Sequence, residues 1–259
     1  IDVEKITDIS FSDDGKLLLF SGFKNGQSDI FVFSLRARSY QNLTNDFYDD
    51  YAPRFFNHQK QIVFSSNRPN NQINRKEHFA QTMPQSHYDL FLYDYETKND
   101  ELMQITFTPY GNESNVREVN ENSIVFLSDE NGMNNRFMAQ FDSTISKIDT
   151  IIHYAYYAQS VPITDCAYSI LEQDFIADRA EIAEIVLHKG SHKMYRKPWN
   201  PQVKPLKLEL SSWQQQMKTE QMKEDSIANA RREEKKGTTR KHGFYQVKKS
   251  DISANRPFL

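Results

Sequence analysis

The sequence predicts an all-β protein, a partial β-propeller of four-stranded blades with a helical C-terminal extension. Three observations carry that prediction. Residues 11–21 (FSDDGKLLLFS) and 56–65 (FNHQKQIVFS) nearly repeat each other, and a weaker copy, VNENSIVFLS, occupies 119–128. Each copy is followed by a second apolar segment: Asp29-Ile30-Phe31-Val32-Phe33, then Asp89-Leu90-Phe91-Leu92-Tyr93, then Arg136-Phe137-Met138-Ala139. The first two units close on an apolar residue and a threonine, Leu43-Thr44 and Ile105-Thr106. A unit of about 40–50 residues holding several strands is the period of a propeller blade. Such a sheet cannot bury both of its faces alone, so the repeat predicts an assembly of sheets as well as each sheet.

The first unit spans 5–48. Ile9-Ser10-Phe11 precedes the turn Asp13-Asp14-Gly15, where Gly15 supplies the positive φ of a tight hairpin. Leu17-Leu18-Leu19-Phe20 is a continuously apolar inner strand, the pattern of a strand covered on both faces. Lys24-Asn25-Gly26 turns the chain into the strand from Asp29 to Leu35, and 39–44 reads as a shorter outer strand. The second unit spans 49–108. Ile62-Val63-Phe64 repeats the inner strand, and the polar stretch from Pro69 to His87 is an insertion on a loop. In the third unit Ile124-Val125-Phe126-Leu127 is the inner strand and Asn131-Gly132 the turn. Ile151 through Ala158 fits either a Tyr-rich strand or part of a helix. A degraded fourth copy runs from Ala167 to Leu187, where AEIAEIVLHKG satisfies both a strand and a short helix pattern.

Beyond Trp199 the composition changes. The expected organisation is blades over 1–190, a linker over 191–210 punctuated by Pro198, Pro201 and Pro205, and a helical extension with a basic tail over 211–259. Ser211 or Ser212 is the expected helix N-cap. Trp213, Met217 and Ile227 give that helix only a narrow apolar stripe, which suits a helix mostly in water.

Composition limits the function classes. Aromatic residues make up 13% of the chain, against plain disorder, and the net charge of −3 provides no global field for nucleic acid. The basic run from Arg231 to Lys249 is broken by Glu233 and Glu234 and reads as a solvated helix end, and no glycine-rich phosphate loop occurs. No apolar run approaches the roughly 20 residues of a transmembrane helix. Cys166 is the single cysteine, so no intrachain disulfide is possible, and a small buried residue is its expected role. The chain begins at Ile1 without a basic-then-apolar leader, which leaves its cellular address open.

No cofactor or metal site is expected. His188 and His192 are four apart, but Gly190 lies between them and no Glu follows His188, so HKGSHK reads as a solvated basic loop. Asp13-Asp14-Gly15 lacks the distant Glu of a calcium loop. Asp49-Asp50 reads as a connection between blades rather than a cation site in the channel.

The first unit resembles the PD40 or TolB-type propeller repeat, a WD40-like repeat, through Phe11, Ser12, Asp14, Gly15, Lys16, Phe20, Ser21, Asp29, Ile30, Phe31, Val32, Leu43 and Thr44. The second matches through Pro53, Phe56, Phe64, Ser65, Ser66, Asn67, Arg68, Asp89, Leu90, Ile105 and Thr106, with His58-Gln59-Lys60 in place of the Asp-Gly turn. The resemblance implies a non-enzymatic, protein-binding scaffold in the periplasm of a Gram-negative bacterium, associated with the outer membrane. It further implies envelope proteins as partners, and missing blades supplied by the rest of a parent chain or by a partner. The alternative is the propeller of an S9-type serine peptidase. Its nucleophile elbow, G-x-S-x-G, does not occur here; Gly190-Ser191-His192 is the nearest match. His78, Phe79 and His87 of the insertion, with Trp213 and Met217 of the helix, are the expected partner contacts.

Overall fold

Each apolar run of the repeat forms a strand that lies between two others. In the computed structural model, which describes residues 2–75, 82–150, 152–176, 179–200, 204–220, 222–223 and 226–227, the strands build four antiparallel meanders. The first is β1 (Lys5–Phe11), β2 (Leu17–Lys24), β3 (Gln27–Ser34) and β4 (Ser39–Asn42). The second is β5 (Asp50–Phe56), β6 (Gln61–Ser66), β7 (Asp89–Asp94) and β8 (Met103–Gln104). The third is β9 (Glu113–Asn120), β10 (Ser123–Ser128), β11 (Asn135–Ile148) and β12 (Ile152–Pro162), and the fourth is β13 (Ile170–Ile176), β14 (Glu181–His188) and β15 (Ser191–Pro198). Packing divides the chain into Ile1–Gln214, which holds all four sheets, and Gln215–Leu259.

Successive sheets meet through their first strands, β1 on β5, β5 on β9 and β9 on β13. The innermost strand of each blade is therefore the first, and the apolar runs expected to be innermost are second strands. Their continuous apolarity follows from hydrogen-bonded neighbours on both edges and packed side chains on both faces. Arg54 Nη1 and Nη2 clasp Asp8 at 3.0 and 3.1 Å between the first two inner strands, and Arg117 Nε reaches Asp174 at 2.7 Å between the last two.

Phe20, Phe64 and Phe126 occupy equivalent positions. Each is the cross-strand partner of another phenylalanine, Phe31, Phe91 and Phe137. The paired rings stack with centroids 5.1, 6.4 and 5.6 Å apart. Phe64 and Phe91 share a buried cluster with Leu19, Ile30 and Val32 of the first sheet, and Phe126 and Phe137 share one with Val63, Leu90 and Leu92 of the second. The ring pair thus always faces the preceding sheet, and the intervening residues of the same strands face the next.

The apolar-Thr pair is a clasp at the outer edge. Thr44 Oγ1 donates to Asp29 at 3.1 Å, accepts from Ile30 N at 3.1 Å, and Leu43 N donates to Ile30 O at 2.8 Å. Thr106, Asp89, Leu90 and Ile105 repeat those bonds. The third unit has the clasp too, in Ile163-Thr164: Thr164 Oγ1 lies 3.2 Å from Asn135 Oδ1 and accepts from Arg136 N at 2.8 Å. Cys166 is partly buried beside Leu127, Ile170 and Val186, and its backbone N–H donates to Asn135.

Local turn chemistry follows the sequence where glycine is present. Gly15 has φ of 65°, and Ser12 Oγ accepts from Leu17 N at 2.9 Å to hold the SDDGK turn. Without a glycine, Asn57, His58 and Gln59 take φ of 50°, 52° and 66°, a strained run for L-residues. The third sheet braces it: Asn57 N donates to Glu118, and His58 lies 2.8 Å from Glu121.

Three segments differ from expectation or resolve its alternatives. Ile152–Pro162 is a strand, and β11 and β12 form a hairpin longer than the rest of their sheet. Its tip exposes Ile145, Ile148, Tyr154 and Tyr156. The segment 181–188 is a strand, not a helix, and β15 continues the fourth sheet through residues expected to be linker. Ser211 is the N-cap of the helix at 212–220, accepting from Gln214 N at 3.1 Å. Phe64→Ala should cost about 3–5 kcal/mol of stability by opening a cavity between two sheets, whereas Trp213→Ala at a 62% exposed position should stay within about 0.5 kcal/mol; urea unfolding monitored by far-UV circular dichroism checks both.

Candidate functional site

The meander places the β2–β3 turn, the insertion between β6 and β7, the β10–β11 turn and every connection between sheets at one end of the blades. That end carries a cluster of buried charged groups. Arg68 is fully buried there, just after β6, and each of its three side-chain nitrogens donates. Nη2 donates to Asp50 Oδ1 and Oδ2 at 2.9 Å each. Nη1 donates to Asp46 Oδ2 at 3.0 Å and to Gln72 O at 3.2 Å, and Nε donates to Ser66 Oγ at 2.9 Å. The guanidinium lies 5.6 to 5.8 Å from the ring centroids of Tyr48, Phe64 and Phe91. One side chain therefore ties the β4–β5 connection, the end of β6 and the insertion together. Asp50 is spent in this ion pair, and Asp49 Oδ1 accepts from Ser28 N, so the Asp49-Asp50 pair serves the connection between blades.

The third sheet carries the same frame with different charges. Glu113 faces Ser128 across the ladder as Asp50 faces Ser66. Glu130 N donates to Ser128 Oγ at 3.2 Å as Arg68 N donates to Ser66 Oγ at 3.3 Å. Glu130 thus stands where the second sheet has arginine, and among the described residues Glu113 has no ion-pair partner. Glu113 is 1% exposed. Burial, and then the nearby Asp89 carboxylate, push it up to about 8. The hydrogen bonds agree. Thr106 Oγ1 lies 3.1 Å from Asp89 Oδ1 and 3.3 Å from Glu113 Oε2, and it accepts from Leu90 N at 2.8 Å. Its single proton goes to Asp89, so a neutral Glu113 completes the chain by donating to the threonine.

Of the expected contact residues, His87 sits at this end, largely buried, with Nε2 3.7 Å from Asp89 Oδ2. Trp213 and Met217 are exposed on their helix, at 62% and 41%. His78 and Phe79 lie outside the described residues, as does the basic tail. His188 and His192 pair across the β14–β15 hairpin with Ser191 and Leu187 rather than with each other. No cluster of three metal-ligating side chains occurs among the described residues, and no helix there is long and apolar enough to cross a membrane. Sequence reading passed over Asp46, Glu113 and Glu130; laying the second repeat on the third, residue by residue, would have set Arg68 against Glu130.

Solved structures share this architecture. TolB from Acinetobacter baumannii matches with a TM-score of 0.55 at 15% identity, over 79% of this chain and 45% of that one. A putative TolB from Agrobacterium tumefaciens matches with a TM-score of 0.52 at 14% identity, over 72% and 56%. The fold is that of a TolB-like β-propeller. The propeller described here spans about half the length of those two proteins. A puromycin-hydrolyzing peptidase of Mycobacterium tuberculosis matches with a TM-score of 0.51 at 9% identity, over 81% of this chain and 30% of that one. No protein-family model matches the propeller's sequence, and no curated protein matches it.

The raised Glu113 carboxyl sets a pH dependence. Folded Glu113 keeps its proton up to about 8, whereas the unfolded chain releases it near 4.5. The folded state therefore holds the extra proton between those values, and its stability falls as pH rises through them. The urea midpoint should be higher at pH 5.5 than at pH 9, and Glu113→Gln should flatten that difference. Arg68→Met should cost about 3–5 kcal/mol, because it strands two buried carboxylates, again read by urea unfolding.

Proposed function

We propose that this chain is a non-enzymatic, protein-binding part of a periplasmic propeller associated with the outer membrane of a Gram-negative bacterium, a scaffold in envelope assembly or maintenance. The observation that carries a binding role is the set of exposed apolar side chains at the two flanks. The stacked Phe20–Phe31 pair at the first flank is itself buried, but the apolar side chains of the strand beside it are not. On that same side Ile9 and Phe11 are 52% and 59% exposed. At the other flank Leu187 and Met194 are exposed, on the side of the fourth sheet turned away from the third. Further blades, from a longer parent chain or from a partner, are what such faces fit. The envelope address rests on the TolB-type repeat, and the fold similarity is consistent with it.

The second reading, the propeller of a serine peptidase, is favoured by the similarity to the puromycin-hydrolyzing peptidase. The complete reading frame separates the two. A scaffold parent carries an export signal, appears in the periplasmic fraction after osmotic shock and cross-links to outer-membrane proteins. A parent with a G-x-S-x-G domain that cleaves a chromogenic peptide, or one confined to the cytoplasm, overturns the scaffold reading.

A further inference from the structure

We propose that the cavity between the second and third sheets binds a guanidinium group, the arginine side chain of a partner protein. The binding role proposed above bears only on where that arginine comes from; the pocket itself stands on its geometry. The cavity has a volume of about 230 Å³ and is lined by Glu113, Ser128, Glu130, Phe126, Phe137 and Phe107, among others. One water takes about 30 Å³ of liquid, so the space suits a side chain. Phe107 is 76% exposed and marks the mouth.

The pocket repeats part of the site that holds Arg68, with Thr108 at the position where Asp46 accepts from Nη1. Phe126 and Phe137 stand where Phe64 and Phe91 flank the Arg68 guanidinium. Ser128 stands where Ser66 accepts from Nε, and Glu113 where both Asp50 oxygens face Nη2. The protein thus displays, one blade earlier, what these walls hold when the residue after the second strand is an arginine. In the third blade that residue is Glu130, so among the described residues the aromatic faces, hydroxyl and buried carboxyl have no cation of their own. A planar guanidinium stacks on aromatic faces while donating in a fork to a carboxylate, which a compact ammonium does not reproduce.

Around Glu113 the titratable groups are Asp89 on β7, His87 beside Asp89, and Glu130 on the turn after β10. All but the histidine are acidic. A bound cation therefore favours ionised Glu113 and displaces its proton. Binding should tighten as pH rises and level off above about 8.

The test titrates the whole chain with N-acetyl-arginine amide by calorimetry and two-dimensional NMR, with the lysine and citrulline amides as controls. We expect saturable binding of the arginine compound, weaker binding of lysine, none of citrulline, and a loss of about tenfold or more in Glu113→Gln. Glu130→Arg should fill the pocket from within: binding disappears, Tm rises and the alkaline loss of stability shrinks. Arginine amide binding no better than citrulline amide, or a Glu130→Arg protein that binds like the parent, overturns the proposal. A chain that captures an envelope protein yet ignores arginine amide sinks the pocket while leaving the scaffold reading standing.

Discussion

The first three sheets of this protein are apolar on both faces, and almost everything else follows from the need to cover them. The stacked phenylalanine pair fills one face and branched aliphatic residues the other, so sheets assemble in a fixed order with rings against the preceding neighbour. Burying one large apolar side chain contributes about 1.5–3 kcal/mol, and every seam contains several. The Arg54–Asp8 and Arg117–Asp174 pairs then fix where the inner strands sit against one another. Partly exposed ion pairs of this kind contribute little on their own, so they set register more than strength.

The first two sheets were legible because their motif residues have local jobs. Ser12, Asp14 and Gly15 make a turn, and Asp29 with Thr44, or Asp89 with Thr106, closes an outer edge. The third sheet keeps the closure but separates Asn135 from Thr164 by a long hairpin, and its aspartate has become asparagine, so the pairing is hidden along the chain. The fourth sheet was hardest to see. Glu184 takes the place of Phe64 and Phe126, with Tyr195 as its cross-strand partner, and Arg136 takes the place of Ile30 and Leu90. An apolar pattern cannot report a seam that has been rewritten in charge.

The buried charges at the loop end were not legible for a related reason. Arg68 was visible as a letter of the repeat, but its partners come from a connection, a strand end and an insertion. Charge pairing of that sort is set by the folded arrangement and leaves no periodic trace. Glu113 is plainer still: the sequence shows a carboxylate at the start of a strand, while only the packing of Asp89 and Thr106 against it shows why it holds its proton.

The Arg136–Glu184 contact gives the four sheets unequal joints. Arg136 Nη2 donates to Glu184 at 2.8 Å and Nε to Gln173 at 2.6 Å, with Lys197 on the other carboxylate oxygen. Hydrocarbon seams loosen on cooling, whereas the desolvation penalty of an ion pair shrinks on warming. The joint between the third and fourth sheets thus carries a thermal response of its own. Toward higher temperature the ionic part of that joint gains on the apolar contacts beside it.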